Sequence, residues 1–347
     1  MELVTSLPAD TPLRQVAQHV RRIENLGFDT VHISETIRDP FAVAALAVEH
    51  STTLTVRTSM VVAFARSPMV TALAAWDLAD FSGGRFQLGL ATQVRGNIVG
   101  RYSMPWTDPV AQLRDYVGAV REIFRVFHTG GKLDYSGSHY AFNRLQPYFN
   151  PGKIGVPAPE IWTGGVNSRM CSLAGDVADG FVAHPTSSHP KVLAERIIPS
   201  LTGGGRKPRL IAVPKTITGK DRAAIIAQRE AVRSELAFLY STPAYRVALE
   251  VLGLPEVGEE LTVMARAGDW ARLPAVLTDD VLDILITQCT YAELPDVVSS
   301  KYAGLCDGIA LAVPMDPADD GAFTAMCEEL RAAASAEGPP SSEVCSM

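Results

Sequence analysis

Within the first 130 residues one order of events recurs four times: a short apolar run, a helix-capping residue, then an apolar helical stripe. Residues 3–7 form the first run, and Thr11 with Pro12 starts a helix whose Leu13, Val16, Val20 and Ile23 repeat at three and four residues until Gly27. Residues 29–34 precede Asp39 and Pro40, which open an alanine-rich helix to Glu49, and residues 53–60 precede Ser67 and Pro68. Serine, threonine or aspartate can take up the unpaired N–H groups of a first helical turn, and proline suits the position after the cap because it has no N–H to lose. The next helix ends at Ser82, Gly83 and Gly84, where a left-handed turn needs a residue without Cβ. The apolar strand of residues 85–90 follows, and Thr107 is expected to cap a helix with the stripe Val110, Leu113, Val117, Val120, Phe124 and Phe127.

Residues 130–159 break this rhythm; rich in Gly, Pro, Tyr and Asn, they are expected to be an insertion or lid over a site. Alternation resumes with strands at 160–163, 180–183, 209–216 and 308–313, separated by helices from Asn167, from Pro190, over 221–283 with breaks at Pro243, Pro255 and Pro274, and over 291–302. Eight strand–helix units imply a (β/α)8 TIM barrel, one domain over residues 1–334, with chemistry at the C-terminal ends of the strands. The tail 335–347 reads as disordered. The runner-up, a doubly wound sheet, lacks a G-x-G-x-x-G at its first helix, and no Walker loop, H-E-x-x-H or G-x-S-x-G occurs.

A net charge of -7 argues against nucleic-acid partners. No membrane span or signal peptide is legible, so a cytoplasmic protein is expected. The five scattered cysteines form no C-x-x-C pair and read as reduced structural residues, with no metal site.

At the expected strand ends stand Ser34, Glu35 and Thr36 with Arg38; Ser59 and Met60 with Arg66; Thr92, Gln93, Arg95, Asn97 and Arg101; Thr163 to Ser168; and His184. Four arginines on successive loops suit an elongated anion, though Arg38 and Arg66 could equally pair with nearby acids. Gly164 and Gly165, followed by Val166 and Asn167, would let backbone N–H groups meet a phosphate at a helix N-terminus. Glu35, at the rim of an apolar strand, and His184 are the candidate acid–base residues. His32, inside a strand, reads as a satisfied core residue.

Gly27-Phe28-Asp29, Ser34-Glu35, Asp39-Pro40-Phe41, Ala63 to Pro68, Ser82 to Phe86 with Leu88-Gly89-Leu90, and Ala178-Asp179-Gly180 together resemble the bacterial luciferase-like monooxygenase superfamily over residues 3–315. Gln93-Val94-Arg95, Met104-Pro105-Trp106 and Ala183-His184 are similar to an actinobacterial group of coenzyme F420-dependent oxidoreductases. The resemblance implies a flavin-like ring across the strand ends, bound through Thr36, Ser59, Met60, Thr92, Gln93, Arg95, Asn97, Arg101, Gly164, Gly165, Val166 and Asn167, a cis peptide bond at Ser59-Met60, a small organic substrate and a homodimer. Thr36 and Val94 stand where sugar-phosphate dehydrogenases of that superfamily carry catalytic His and Glu, which argues against that activity. The expected function is hydride transfer between F420 and the substrate, by reduction of an activated double bond or oxidation of an alcohol. The alternatives are an FMN-dependent monooxygenase or a cofactor-free binding barrel.

Overall fold

The computed structural model describes residues 1–336. Eight strands make the barrel: β1 (Glu2–Ser6), β2 (Thr30–Ile33), β3 (Thr55–Thr58), β4 (Phe86–Ala91), β5 (Ile161–Gly165), β6 (Gly180–Ala183), β7 (Arg209–Ala212) and β8 (Gly308–Ala310). Each pairs in parallel with the next, and β8 pairs with β1, so the sheet closes. The doubly wound alternative is thereby excluded. Every one of these strands falls on a run legible in the sequence.

Helix α1 (Val16–Asn25) follows β1, α2 (Pro40–Glu49) follows β2, α3 (Pro68–Phe81) follows β3, and α4 (Pro109–Thr129) follows β4. Asp39 accepts hydrogen bonds from the N–H groups of Phe41 and Ala42, and Ser67 from that of Met69. The cap of α4 is Asp108, which accepts from Val110 and Ala111; the expected cap, Thr107, bonds to Gln112 instead. After α3, Gly83 and Gly84 take φ of 63° and 89°, the left-handed turn expected of them.

Alternate residues divide the barrel wall into two cores. Phe86, Leu88 and Leu90 of β4 are buried, in one cluster with helix residues such as Ala72, Trp76 and Phe124, while Val4, Trp162, Val182, Ile211 and Ala310 pack together within the barrel. Below that inner layer, at the N-terminal ends of the strands, lies an ionic floor. Arg57, fully buried, lies 3.5 Å from the Trp162 ring centroid. Its guanidinium bonds to Glu2 (2.8 Å), Gln87 (2.6 Å) and His32 Nε2 (3.1 Å). Glu160 joins the floor by accepting from Gln87, Trp162 and Arg209. Burial, opposed by Glu2, lowers the Arg57 pKa to about 10. Burial and then Arg57 push His32 well below its ordinary value, so its Nε2 accepts as a neutral ring; the expected core role for His32 is what the fold shows.

Three stretches differ from the sequence reading. The seventh run, 209–216, splits at Pro214, which has no N–H for a ladder, into β7 and a separate strand, Thr216–Gly219, which pairs outside the barrel with Thr287–Thr290. The helix expected over 291–302 therefore begins only at Leu294. The large excursion of the chain is thus the segment between β7 and β8, whose helices include Arg222–Tyr240 and Pro255–Arg266. Residues 130–159, expected over the site, pack instead on the outer side of α3 and α4. Asp115 of α4 accepts from Tyr135 (2.5 Å), from the His139 N–H (2.5 Å) and from the Tyr140 N–H (3.1 Å), and Trp76 of α3 donates to the Gly152 carbonyl (3.0 Å). The expected tail starts too early: helix Asp320–Ala336 still includes residues 335 and 336, and the rest of the tail lies outside the described residues.

Candidate functional site at the strand mouths

Strand closure brings the ends of β2, β3, β4, β5 and β6 to one rim. Behind that rim the Ser59-Met60 peptide bond is cis, as expected, and Val61–Val62 rejoin the sheet opposite Leu90 and Ala91 of β4. Gly89 makes this path possible, because a Cβ there would overlap the Thr58 carbonyl and lie 2.6 Å from the Met60 sulfur. Met60 packs on the inner core and forms part of the barrel's ceiling.

Glu35 is 8% exposed, and both its carboxylate oxygens are occupied by protein donors. Arg66 reaches them at 2.7 and 2.8 Å, the Val62 N–H donates at 2.7 Å, and the Tyr102 hydroxyl approaches at 3.4 Å. Arg66 also bonds to Asp39 (3.0 Å). Burial alone would lower the Arg66 pKa, yet the bonds to the two carboxylates leave it raised. The pairing weighed for Arg66 is realised, whereas Arg38 has no ion-pair partner among the described residues.

The β4 loop is only partly a loop, since Arg95–Gly100 is a short helix. Gln93 holds a left-handed φ of 59°, uncommon for a residue with a side chain, and its Oε1 accepts from the Val94 N–H and from Asn97 Nδ2, both at 3.1 Å. Arg101 donates to the Thr36 carbonyl, tying this loop to the end of β2, and Arg95 is exposed with no salt-bridge partner among the described residues. On β5, Asn167 caps the following helix, Ser168–Val177, by accepting from Met170 N–H at 2.9 Å. A Cβ on Gly165 would lie 2.8 Å from the Met170 Cβ, and one on Gly164 3.1 Å from the Val182 carbonyl. Packing therefore demands glycine at 165, and leaves little room at 164, whether or not a phosphate binds, and replacing Gly165 cannot separate binding from folding. Thr163 Oγ1 is buried with no protein partner.

His184 ends β6. Its Nδ1 accepts from the Thr186 N–H (3.3 Å) and lies 2.8 Å from Thr186 Oγ1, while its ring stacks on Tyr245 at 4.3 Å between centroids. Burial first, and the Lys215 charge second, push its pKa down to about 4. Tyr245 and Tyr240, whose hydroxyl donates to the Thr186 carbonyl, come from the β7–β8 excursion. Sequence reasoning missed Tyr102, Lys215 and Tyr245. Tyr102 was within reach, one residue past Arg101 in a loop already singled out, but nothing in the chain's local pattern joins Tyr245 to His184.

Two clefts, of about 630 and 540 Å³, lie outside the barrel along α4, and the arginines of the first are paired with Asp108, Asp176 and Asp179. The strand-mouth rim is different: it offers hydroxyls, amides, glycine-flanked backbone and three exposed arginines, Arg38, Arg95 and Arg101, and its one buried acid is already neutralised by Arg66. That donor set fits an anionic cofactor with a polar edge.

Fold and rim define a parallel (β/α)8 barrel of the kind that works at its C-terminal face. The luciferase-like monooxygenase family model matches residues 1–303, and the chain belongs to that family. It is 36% identical over 316 residues to an uncharacterised protein of Mycobacterium tuberculosis, covering 89% of this chain and 91% of the relative. It is 27% identical over 288 residues to a 5,10-methylenetetrahydromethanopterin reductase of Archaeoglobus fulgidus, covering 79% and 82%. Among solved structures it is similar to the coenzyme F420-dependent tetrahydromethanopterin reductase of Methanopyrus kandleri, with a TM-score of 0.75 at 18% identity over 95% of this chain and 98% of that one.

Proposed function

We propose that the chain is an oxidoreductase that binds coenzyme F420 at the strand mouths and transfers a hydride to or from a small organic substrate, reducing an activated double bond or oxidising an alcohol. The observation that carries this reading is the rim itself: donors and arginines around a mouth whose only buried carboxylate, Glu35, is bound by Arg66. A putative coenzyme F420-dependent oxidoreductase of Mycobacterium tuberculosis, 26% identical and covering 78% of this chain and 83% of the relative, supports the choice of cofactor. When bound, a deazaflavin supplies a two-electron hydride couple with little reactivity toward oxygen. Thr92, Gln93 and Asn97 would hold its polar edge, the N–H groups around Gly164 to Asn167 a phosphate, and Arg95 with Arg101 the outer anionic tail. Met60 would back the ring, and His184 is the side chain we place against the substrate. A fluorescence titration with F420 and with FMN tests the reading, and tighter F420 binding is expected. Tighter FMN binding, with oxygen consumption by the reduced complex, would establish a monooxygenase, and binding of neither would establish a cofactor-free barrel.

The arginines provide a finer test. Arg95→Ala with Arg101→Ala is expected to weaken F420 binding at low salt by about twofold to thirtyfold, at roughly 0.2–1 kcal/mol per exposed charge, and to leave FMN binding nearly unchanged. Equal weakening of both ligands would remove the tail contact from the account.

Glu35, with every oxygen engaged, we assign to anchoring the ends of β2 and β3, not to proton transfer. Glu35→Gln keeps its shape but sets an uncharged amide against Arg66. We expect stability to fall by about 1–3 kcal/mol and turnover to change less than about tenfold. A hundredfold loss of turnover at unchanged stability would instead make Glu35 the acid or base.

A further inference from the structure

We infer that Tyr245 is a positioning residue for His184: stacked on the imidazole while Thr186 holds Nδ1, it fixes the ring so that Nε2–H is the donor presented to a ligand oxygen at the strand mouth. This rests on the reading of the strand mouth as the binding site and adds to it a ligand chemistry, a carbonyl or other oxygen acceptor.

The tautomer follows from hydrogen bonding. A backbone N–H can only donate, so the Thr186 N–H at 3.3 Å makes Nδ1 an acceptor, and the proton of a neutral ring must sit on Nε2. Among the described residues Nε2 has no protein partner, and it is not among the buried polar atoms left unpaired, so it is open to solvent. Ring orientation is then set from one face and one edge. Tyr245 covers one face at 4.3 Å and 26°, which leaves little freedom to turn about the Cβ–Cγ bond. The segment bearing Tyr245 is itself docked on the His184 loop by the Tyr240 hydroxyl, which donates to the Thr186 carbonyl at 3.2 Å. Ser188, whose hydroxyl donates to the His184 carbonyl (3.1 Å) and accepts from the Val213 N–H (2.8 Å), fixes the backbone beneath.

The charged and titratable groups around the ring agree with a donor and not a base. Lys215, from the segment after β7, opposes protonation of the ring by its charge and is paired with Glu235 of helix Arg222–Tyr240. Tyr245 and Tyr240 are both raised by burial and keep their protons. His184, depressed to about 4, stays neutral through the working range of pH. An uncharged imidazole fixed in one tautomer can hold and polarise an oxygen without accepting a proton from it.

The test is a long-range proton–nitrogen NMR spectrum of histidine-labelled full-length protein, recorded from pH 5 to 8. The wild type is expected to show His184 in the Nε2–H form without titration, and cyclohex-2-enone as a carbonyl probe is expected to shift its Nε2 signal. Tyr245→Phe, which keeps the stack, should behave as wild type. Tyr245→Leu should bring His184 into titration inside that range and abolish the probe shift, with a melting temperature close to wild type showing that the barrel persists. A wild-type ring that titrates near its ordinary value, an Nδ1–H form, an Nε2 signal indifferent to the enone, or a Tyr245→Leu spectrum identical to wild type would each overturn the assignment. If the leucine variant does not fold, the wild-type tautomer and the phenylalanine variant still decide the matter. The tautomer is measured without F420, so a failed F420 titration would remove the cofactor reading and leave this one standing.

Discussion

Arg57→Met is expected to cost about 3–5 kcal/mol of stability, the loss typical when one partner is taken from a buried ion pair and the other charge stays behind. Arg57 sits in the barrel floor with no exposed surface, and Glu2 accepts from it at 2.8 Å. Methionine would fill most of the volume beneath Trp162, so the loss would measure the stranded Glu2 carboxylate and the unpaired Gln87 and His32 more than a cavity. Glu2 also accepts from Thr30 at 2.6 Å, which limits how far it can swing away to water. Chemical denaturation should therefore show a clear fall for Arg57→Met, with part of it recovered when Glu2→Gln is added. A single variant within about 0.5 kcal/mol of wild type would show that water reaches the floor and screens it.

Gly89→Ala should lose at least about 3 kcal/mol, the upper end of ordinary overpacking, although it adds only one methyl group. The new Cβ would overlap the Thr58 carbonyl, which is backbone and cannot rotate aside, and would press on Met60 Sδ at 2.6 Å. Relief requires β3 to move off β4, where the Thr58 hydroxyl bridges the two strands by donating to the Gly89 carbonyl (3.1 Å) and accepting from the Gly89 N–H (2.8 Å). Because Met60 forms the barrel's ceiling, the same shift should alter the strand mouth, and F420 binding should fall together with stability. If the proposed F420 binding holds for the wild type, a folded Gly89→Ala protein of equal affinity would mean that the mouth is insensitive to the path of residues 58–62.

Much of this architecture is legible in the amino-acid sequence. Each barrel strand lies on an apolar run, Asp39, Ser67 and Asn167 cap helices they stand before, and Gly83 and Gly84 adopt the left-handed turn their lack of Cβ permits. These are local effects, settled within a few residues by propensity, capping and steric limits on φ. The misplaced features have local causes too. Thr107 competed with Asp108 one position on, and Pro214 divides an apolar run that composition alone presents as continuous.

The rim was legible as a list of residues and illegible as an arrangement. Which side chain neutralises Glu35, whether Arg101 bonds to solvent or to the Thr36 carbonyl, and which tyrosine lies on His184 depend on segments separated by 31, 65 and 61 residues. The sequence by itself determined the order and kind of the elements, and through their eightfold alternation the face at which a ligand must be met. Tertiary structure alone decided that residues 130–159 clasp α4 through Asp115 while the β7–β8 excursion supplies Tyr245 to the mouth. The physical reason is range: periodicity and capping act along the chain within a turn or two, whereas partner choice for a buried charge or a stacked ring is settled only by which distant surfaces closure of the barrel presses together.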